Sequence, residues 1–181
     1  MKMGNVGNKF FLSEDERKYT FDNIEKDSLF EKEVLVFQWY DNEDEKVETK
    51  LIFRLLNGTS SWCKIRKERT SDTHADKTIE YISAPNLQSL IEKPFLCKRR
   101  SVLGNIYVDR FIESNGICIN MLENEGNQQE LDLFAKTYKV QNLTDVTSFQ
   151  QYHSREMAIP FLKKHMIELQ LLLKNFQNIQ K

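Results

Sequence analysis

Asn57-Gly58, Gly104-Asn105 and Asn115-Gly116 mark three places where this chain has to reverse direction. Glycine and asparagine tolerate the positive φ that tight hairpin turns demand. The whole sequence holds 6 glycines, so their placement carries information. Each dipeptide is bordered by runs rich in Ile, Val, Phe and Tyr, as strands are. The runs are 50–56 and 62–69 at the first turn, 95–102 and 106–112 at the second, and 117–125 after the third. At least five strands therefore follow one another as antiparallel neighbours. Candidates at 14–21, 34–40 and 77–83 raise the count to about eight.

Helices are fewer. Residues 86–93, after Ala84-Pro85, read as a short connecting helix, and 131–138 as another. The clearest lies within 154–179, where Leu162, Met166, Leu169, Leu172, Phe176 and Ile179 recur every three or four residues. Pro160 kinks that helix or separates it from a preceding turn. Packing against the chain's own sheet is favoured over a partner-binding role. With no repeat, linker or low-complexity tract, residues 1–181 read as one domain.

The strands carry an anomaly. A half-buried strand alternates apolar with polar residues, yet here one parity collects charges of both signs. Glu14, Glu16 and Lys18 share a face, as do Lys64 and Arg66 opposite Cys63 and Ile65. Lys98 and Arg100 flank one position, and Glu123 and Glu125 alternate with Leu122 and Asn124. A plain account puts these charges on a solvated face. If the sheet closes, however, roughly eight strands enclose a lumen wide enough for a small ligand. Buried charges of both signs then call for a polyanion and a metal between them. Carboxylates are hard ligands for Mg²⁺ or Mn²⁺, and Arg and Lys bind phosphate oxygens.

Composition narrows the partners. The 26 basic residues nearly cancel the 27 acidic ones, which argues against a general nucleic-acid binder. Cys63, Cys97 and Cys118 are scattered without a CxxC pair, as suits buried small hydrophobes in a reducing compartment. No segment has the apolar length of a signal peptide or membrane span, so a soluble, cytoplasmic protein is expected. His74, His153 and His165 are isolated, and there is no GxxxxGK[ST], GxSxG or HExxH.

The order of motifs resembles the CYTH family, the triphosphate tunnel metalloenzymes. Glu14-Asp15-Glu16-Arg17-Lys18-Tyr19 is similar to that family's opening ExExK strand, and Gln38-Trp39-Tyr40 to its QGY segment. Ile52-Phe53-Arg54 keeps the second basic residue of RxR, and Cys63-Lys64-Ile65-Arg66 resembles LTxK. Lys77-Thr78-Ile79-Glu80 is similar in part to RxExE, while Lys98-Arg99-Arg100 resembles KxR. Val108-Asp109-Arg110-Phe111 resembles VDxF, and Glu123-Asn124-Glu125 the ExE strand. Asp145-Val146-Thr147, with Tyr152 and Ala158, is similar to the segment that follows the barrel in many bacterial members. The match spans 14–160 and leaves the C-terminal helix, 161–181, outside it.

The resemblance implies a closed eight-stranded antiparallel barrel, mainly β with peripheral helices, that hydrolyses a triphosphate inside its tunnel. Glu14, Glu16, Lys18 and Glu80 carry over as catalytic residues. Lys18, Arg54, Lys64, Arg66, Lys98 and Arg100 carry over as the phosphate set. Glu14, Glu16, Glu123, Glu125 and Asp109 would hold Mg²⁺ or Mn²⁺. The alternatives are cyclisation of ATP to cyclic AMP and capture of a phosphorylated ligand without turnover. Ile52, Thr78 and Trp39 depart from the pattern. Ile52 shares its face with Arg54, so an apolar side chain is expected in the lumen and an organic group on the ligand. Trp39, Trp62 and Tyr40 could stack on such a group or pack in the core. The expected partner is a triphosphate-containing small molecule, with no nucleic acid and no membrane; the oligomeric state stays open.

Overall fold

The computed structural model describes residues 4–6, 9–26, 32–41 and 47–179. The first strands are β1 (Gly4–Val6), β2 (Lys9–Asp15), β3 (Arg17–Thr20) and β4 (Asn23–Ile24). Seven further strands follow: β5 (Glu33–Tyr40), β6 (Val47–Leu56), β7 (Thr59–Arg69), β8 (His74–Ile82), β9 (Pro94–Leu103), β10 (Ile106–Glu113) and β11 (Asn120–Asn124). Helix α1 (Gln128–Tyr138) precedes short strands β12 (Val140–Gln141), β13 (Thr144–Asp145) and β14 (Ile159–Pro160), and α2 (Lys163–Ile179) ends the described chain. The main sheet runs β1-β2-β8-β7-β6-β5-β9-β10-β11-β3-β13, with β14 on β9, while β4 and β12 pair separately.

Turn chemistry accounts for the hairpins, but the expected run of five neighbouring strands divides: β7 pairs onward with β8, and β9 with β5. Leu56 faces Thr59 across a loop in which Asn57 (φ 49°) and Gly58 (φ 77°) are both left-handed, as type I′ requires. Leu103 faces Ile106 across Gly104-Asn105, and Gly104 alone has positive φ (61°), as at the first position of type II′. The third dipeptide behaves differently. The β10–β11 ladder reaches only to Arg110 opposite Asn120, and Asn115 is held outside it, donating its N–H to Met157 O at 2.9 Å. The strand expected from residue 117 consequently begins at Asn120.

The sheet curls strongly but does not close, which corrects the expectation of a closed eight-stranded barrel to an open half-barrel. The cause is local. The strand expected over 14–21 breaks at Glu16: β2 pairs with β8 on one lip, and β3 pairs with β11 on the other. The chain itself joins the lips through Glu16, whose N–H leaves the ladder and donates to Thr73 O at 2.7 Å.

Two apolar cores cover the convex face. Trp39, Phe53, Trp62 and Phe95 pack with Phe161, Met166 and Leu169, which seats α2 on the sheet. Tyr19, Phe21, Val108 and Leu122 pack with Leu131 and Phe134 of α1. The helix expected over 154–179 starts at Lys163, because Ile159 and Pro160 first pair with Phe95 and Pro94 at the edge of β9. Leu162 falls outside the apolar stripe and is 41% exposed. The side chains of Phe176 and Ile179 lie outside the described residues. The expected 86–93 helix is a single 3₁₀ turn, Leu87–Leu90. All three cysteines are buried and free. No helix among the described residues is long and apolar enough to cross a membrane.

Candidate active site: a charged lumen

Strand phase decides what faces inward. On β7, Trp62 packs into the core beneath α2, so Cys63, Ile65, Lys67 and Arg69 take the concave side. On β6, Phe53 occupies that same outer core, and Glu48, Lys50, Ile52 and Arg54 point in. The N-terminal strand contributes Glu16 and Lys18, β8 Lys77, and β9 Lys98 and Arg100. Glu123 of β11 and Glu125 just beyond it complete the ring. They enclose a cavity of about 320 Å³. Eight of the lining side chains are basic and four are carboxylates, with Glu14 and Asp109 buried in the wall. A surplus of positive charge facing an enclosed space suits a polyanion.

The charges are sorted into two networks. In the first, Lys98 Nζ lies 2.6 Å from Asp109 Oδ2, and Arg100 grips the same carboxylate through Nε at 2.7 Å and Nη2 at 2.6 Å. Arg100 also pairs with Glu123. Burial pushes the Glu123 carboxyl up, but Arg100 and Lys98 outweigh it and hold the group well below the usual carboxylate range. Arg100 stacks on the Tyr107 ring, 4.9 Å from its centroid.

In the second network Lys67 Nζ lies 2.5 Å from Glu14 and 3.1 Å from Glu16, and Lys77 also pairs with Glu14. Lys18 approaches Glu16 at 3.5 Å. Despite burial, Lys18, Lys67 and Arg69 hold the Glu16 carboxyl well below its ordinary range. Both Glu14 carboxylate oxygens are buried, one against the Lys67 ammonium and the other against that of Lys77. The Glu14, Glu16 and Glu125 carboxylates each place an oxygen within 4.8 Å of the others. Burial and the neighbouring carboxylates push Glu125 up to about 7, although Lys77 works against them. Behind this cluster Asp145-Val146-Thr147 clamps the backbone of Lys18: Val146 N–H donates to Lys18 O at 2.9 Å, and Lys18 N–H to Thr147 Oγ1 at 3.0 Å.

Of the residues singled out from sequence, Glu14, Glu16, Lys18, Arg54, Lys98, Arg100, Asp109, Glu123 and Glu125 gather at the lumen or in its wall. Lys64, Arg66 and Glu80 do not, and their expected placement is corrected. Lys64 and Arg66 share the outer phase of Trp62 and project from the convex face, where Arg66 pairs with Glu68. Glu80 lies opposite Lys64 on that face and pairs with Lys9. Asp109 and Glu123 are engaged by Lys98 and Arg100 and stand apart from the carboxylate cluster. Glu48, Lys50, Lys67, Arg69 and Lys77 were not singled out. The signal was present in Lys67 and Arg69, whose parity is opposite to that of Trp62. Trp39 and Trp62 stack on each other in the outer core with centroids 5.7 Å apart, so neither faces the lumen. His74 is not isolated: on the outer side of the β2–β8 ladder its Nδ1 meets Asp15 Oδ1 at 2.8 Å and its Nε2 meets Ser13 Oγ at 3.1 Å.

Fold and site together define a curled antiparallel sheet with helices on its convex side and a charged concave lumen. The chain is similar in structure to the PH1819 protein from Pyrococcus horikoshii OT3, with a TM-score of 0.50 and 15% identity over 72% of this chain and 92% of that one. It is also similar to the inorganic triphosphatase NE1496, with a TM-score of 0.48 and 15% identity over 82% and 99% of the two chains. No protein-family profile and no curated protein sequence matches it. The likeness to PH1819 is one of fold.

Proposed function

We propose that the chain binds a triphosphate-bearing small molecule in its lumen and hydrolyses the terminal phosphoanhydride with the help of Mg²⁺ or Mn²⁺. One observation carries this reading: eight basic side chains converge on a single cavity beside three clustered carboxylates. The motif resemblance to the triphosphate tunnel metalloenzymes points the same way.

The residues fit a hard divalent cation. Oxygen is its preferred ligand, and Glu14 offers two buried oxygens, now faced by the Lys67 and Lys77 ammonium groups. Glu14, Glu16 and Glu125 would hold it, and once bound it would neutralise phosphate oxygens and lower the pKa of a coordinated water. The chain's own cations do the rest. Lys18, Lys50, Arg54, Arg69 and Arg100 surround the space the phosphates would fill and would stabilise charge on the transferring group. Arg54 forms no ion pair among the described residues, so it can take a phosphate without dismantling another contact. Arg100 is already committed to Asp109, and its planar fork holds that buried carboxylate while one edge faces the lumen.

The test is phosphate release from inorganic triphosphate, ATP, GTP and thiamine triphosphate, with Mg²⁺ and Mn²⁺ supplied separately. Turnover of at least one substrate is expected with metal and none in excess EDTA. Arg54→Ala should lower kcat/KM by about 2–4 kcal/mol, the range for losing one preorganised charge-stabilising group, with an unchanged Tm. Turnover that persists in EDTA, or a loss under tenfold for Arg54→Ala, refutes this assignment. Pyrophosphate and a cyclic nucleotide as products would instead identify a cyclase.

A second reading rests on Lys67 and Lys77, whose ammonium groups sit on Glu14 where the cation would be held. A lumen neutralised in this way would capture a phosphorylated ligand without turnover. Tight binding with no product under saturating Mn²⁺ distinguishes it.

A further inference from the structure

The lumen is not charged all round. On the wall formed by β5 to β8, Val36, Ile52, Cys63 and Ile65 make a buried cluster with Val34 and Ile79 packed against it. Register explains its continuity: Ile52 lies opposite Cys63, and Ile65 opposite Ile79. On β6, Ile52 separates Lys50 from Arg54, and on β7, Ile65 precedes Lys67. An aliphatic belt therefore adjoins the phosphate-binding charges within one cavity. α1 and α2 have their own cores on the convex face, so this belt serves no helix packing.

Such side chains neither hydrogen-bond phosphate nor balance charge. They also offer no face for stacking. Tyr107 is the one aromatic side chain among the described lining residues, and the Arg100 guanidinium already covers its ring. We propose that the belt seats an alkyl group esterified to the phosphate chain, so that the ligand class is an aliphatic phosphoanhydride ester rather than inorganic triphosphate or a nucleoside triphosphate. This inference rests on the triphosphate reading of the same site. The phosphates meet Lys50 and Arg54, and the alkyl chain leaves water to lie along the partly exposed Ile79 and Val34, backed by the buried Ile52 and Ile65.

Calorimetric titration of the full chain with Mg²⁺ tests the inference, using inorganic triphosphate, ATP and linear alkyl triphosphates of increasing length. The alkyl compounds should bind at least tenfold more tightly than inorganic triphosphate. Their affinity should rise about two- to fourfold per methylene, the increment for burying a CH₂ group. Ile79→Thr and Ile52→Thr should flatten that dependence; Ile79 is only partly buried, so its variant puts the fold least at risk. The wild-type length series decides the matter even if a variant fails to fold. Affinity that is flat with chain length, or ATP binding more tightly than every alkyl compound, overturns the aliphatic subsite alone. Failure of every probe, inorganic triphosphate included, overturns the triphosphate site and this inference with it.

Discussion

Glu125 sits where burial and the carboxylates of Glu14, Glu16 and Glu123 disfavour its charge, with Lys77 as partial compensation. Its carboxyl is pushed up to about 7 from an ordinary 4.5. Between those two values the folded chain keeps a proton that the unfolded chain has released, so stability falls as pH rises through the window. Glu16 and Glu123 have the opposite sign. Their carboxyls are held down in the fold, so their contribution is present above the ordinary value and lost on acidification. In metal-free buffer with EDTA, Glu125→Gln is therefore expected to match the wild type near pH 4.5. At pH 8 it should be more stable, by about 1–3 kcal/mol once the shift from 4.5 to about 7 is reduced for the group's partial exposure to solvent. Urea denaturation at both pH values measures this, and equal differences at the two pH values would contradict it.

Strand β7 shows how one anchor sets a whole element. Trp62 is drawn to the convex core by Trp39 and Phe53, and every second residue then follows it outward. Lys64 and Arg66 are carried to solvent, while Lys67 and Arg69 enter the lumen. The motif resemblance placed LTxK one residue out of phase with this anchor, and in a strand that slip exchanges the two faces. A Lys64→Ala, Arg66→Ala double variant should accordingly leave triphosphate turnover within twofold of wild type. The one ion pair lost among the described residues, Arg66 with Glu68, is exposed and contributes about 0–1 kcal/mol. A large fall in kcat at unchanged Tm would mean that β7 presents its other face to the substrate.

At the scale of the molecule, the two lips of the sheet meet at Glu14, Glu16 and Lys18, joined by the chain rather than by a ladder. A ligand bridging Glu14 and Glu16 to Glu125 would tie β2 to the end of β11 across that seam. Anything that binds only the folded state stabilises it by mass action, about 2.7 kcal/mol at a hundredfold excess over Kd. For a chain of 181 residues that corresponds to a Tm rise of about 5–10 °C. Mn²⁺ and a bound triphosphate together should produce such a rise, and EDTA should remove the metal-dependent part. No shift at concentrations that should saturate the site would mean that the folded chain does not bind these ligands.

The hairpins at Asn57-Gly58 and Gly104-Asn105, the antiparallel pairing and the mixed-sign charge on one strand parity were all legible in the sequence. Each follows from interactions between residues close in the chain: positive φ in two-residue turns, and the period of two in a strand. Glu14, Glu16, Lys18, Lys98 and Arg100 were also named together there, on shared strand parity and on the motif resemblance. The tertiary structure alone decided that the sheet stays open at Glu16, that Lys64, Arg66 and Glu80 face outward, and that Lys50, Lys67, Arg69 and Lys77 face in. It also set Trp39 and Trp62 under α2 and left Ile52 in an aliphatic wall of the lumen. The physical reason is that a strand with usable residues on both faces has two self-consistent orientations. Only the packing of distant residues such as Phe161 and Leu169 against Trp39 and Trp62 makes one of them lower in free energy.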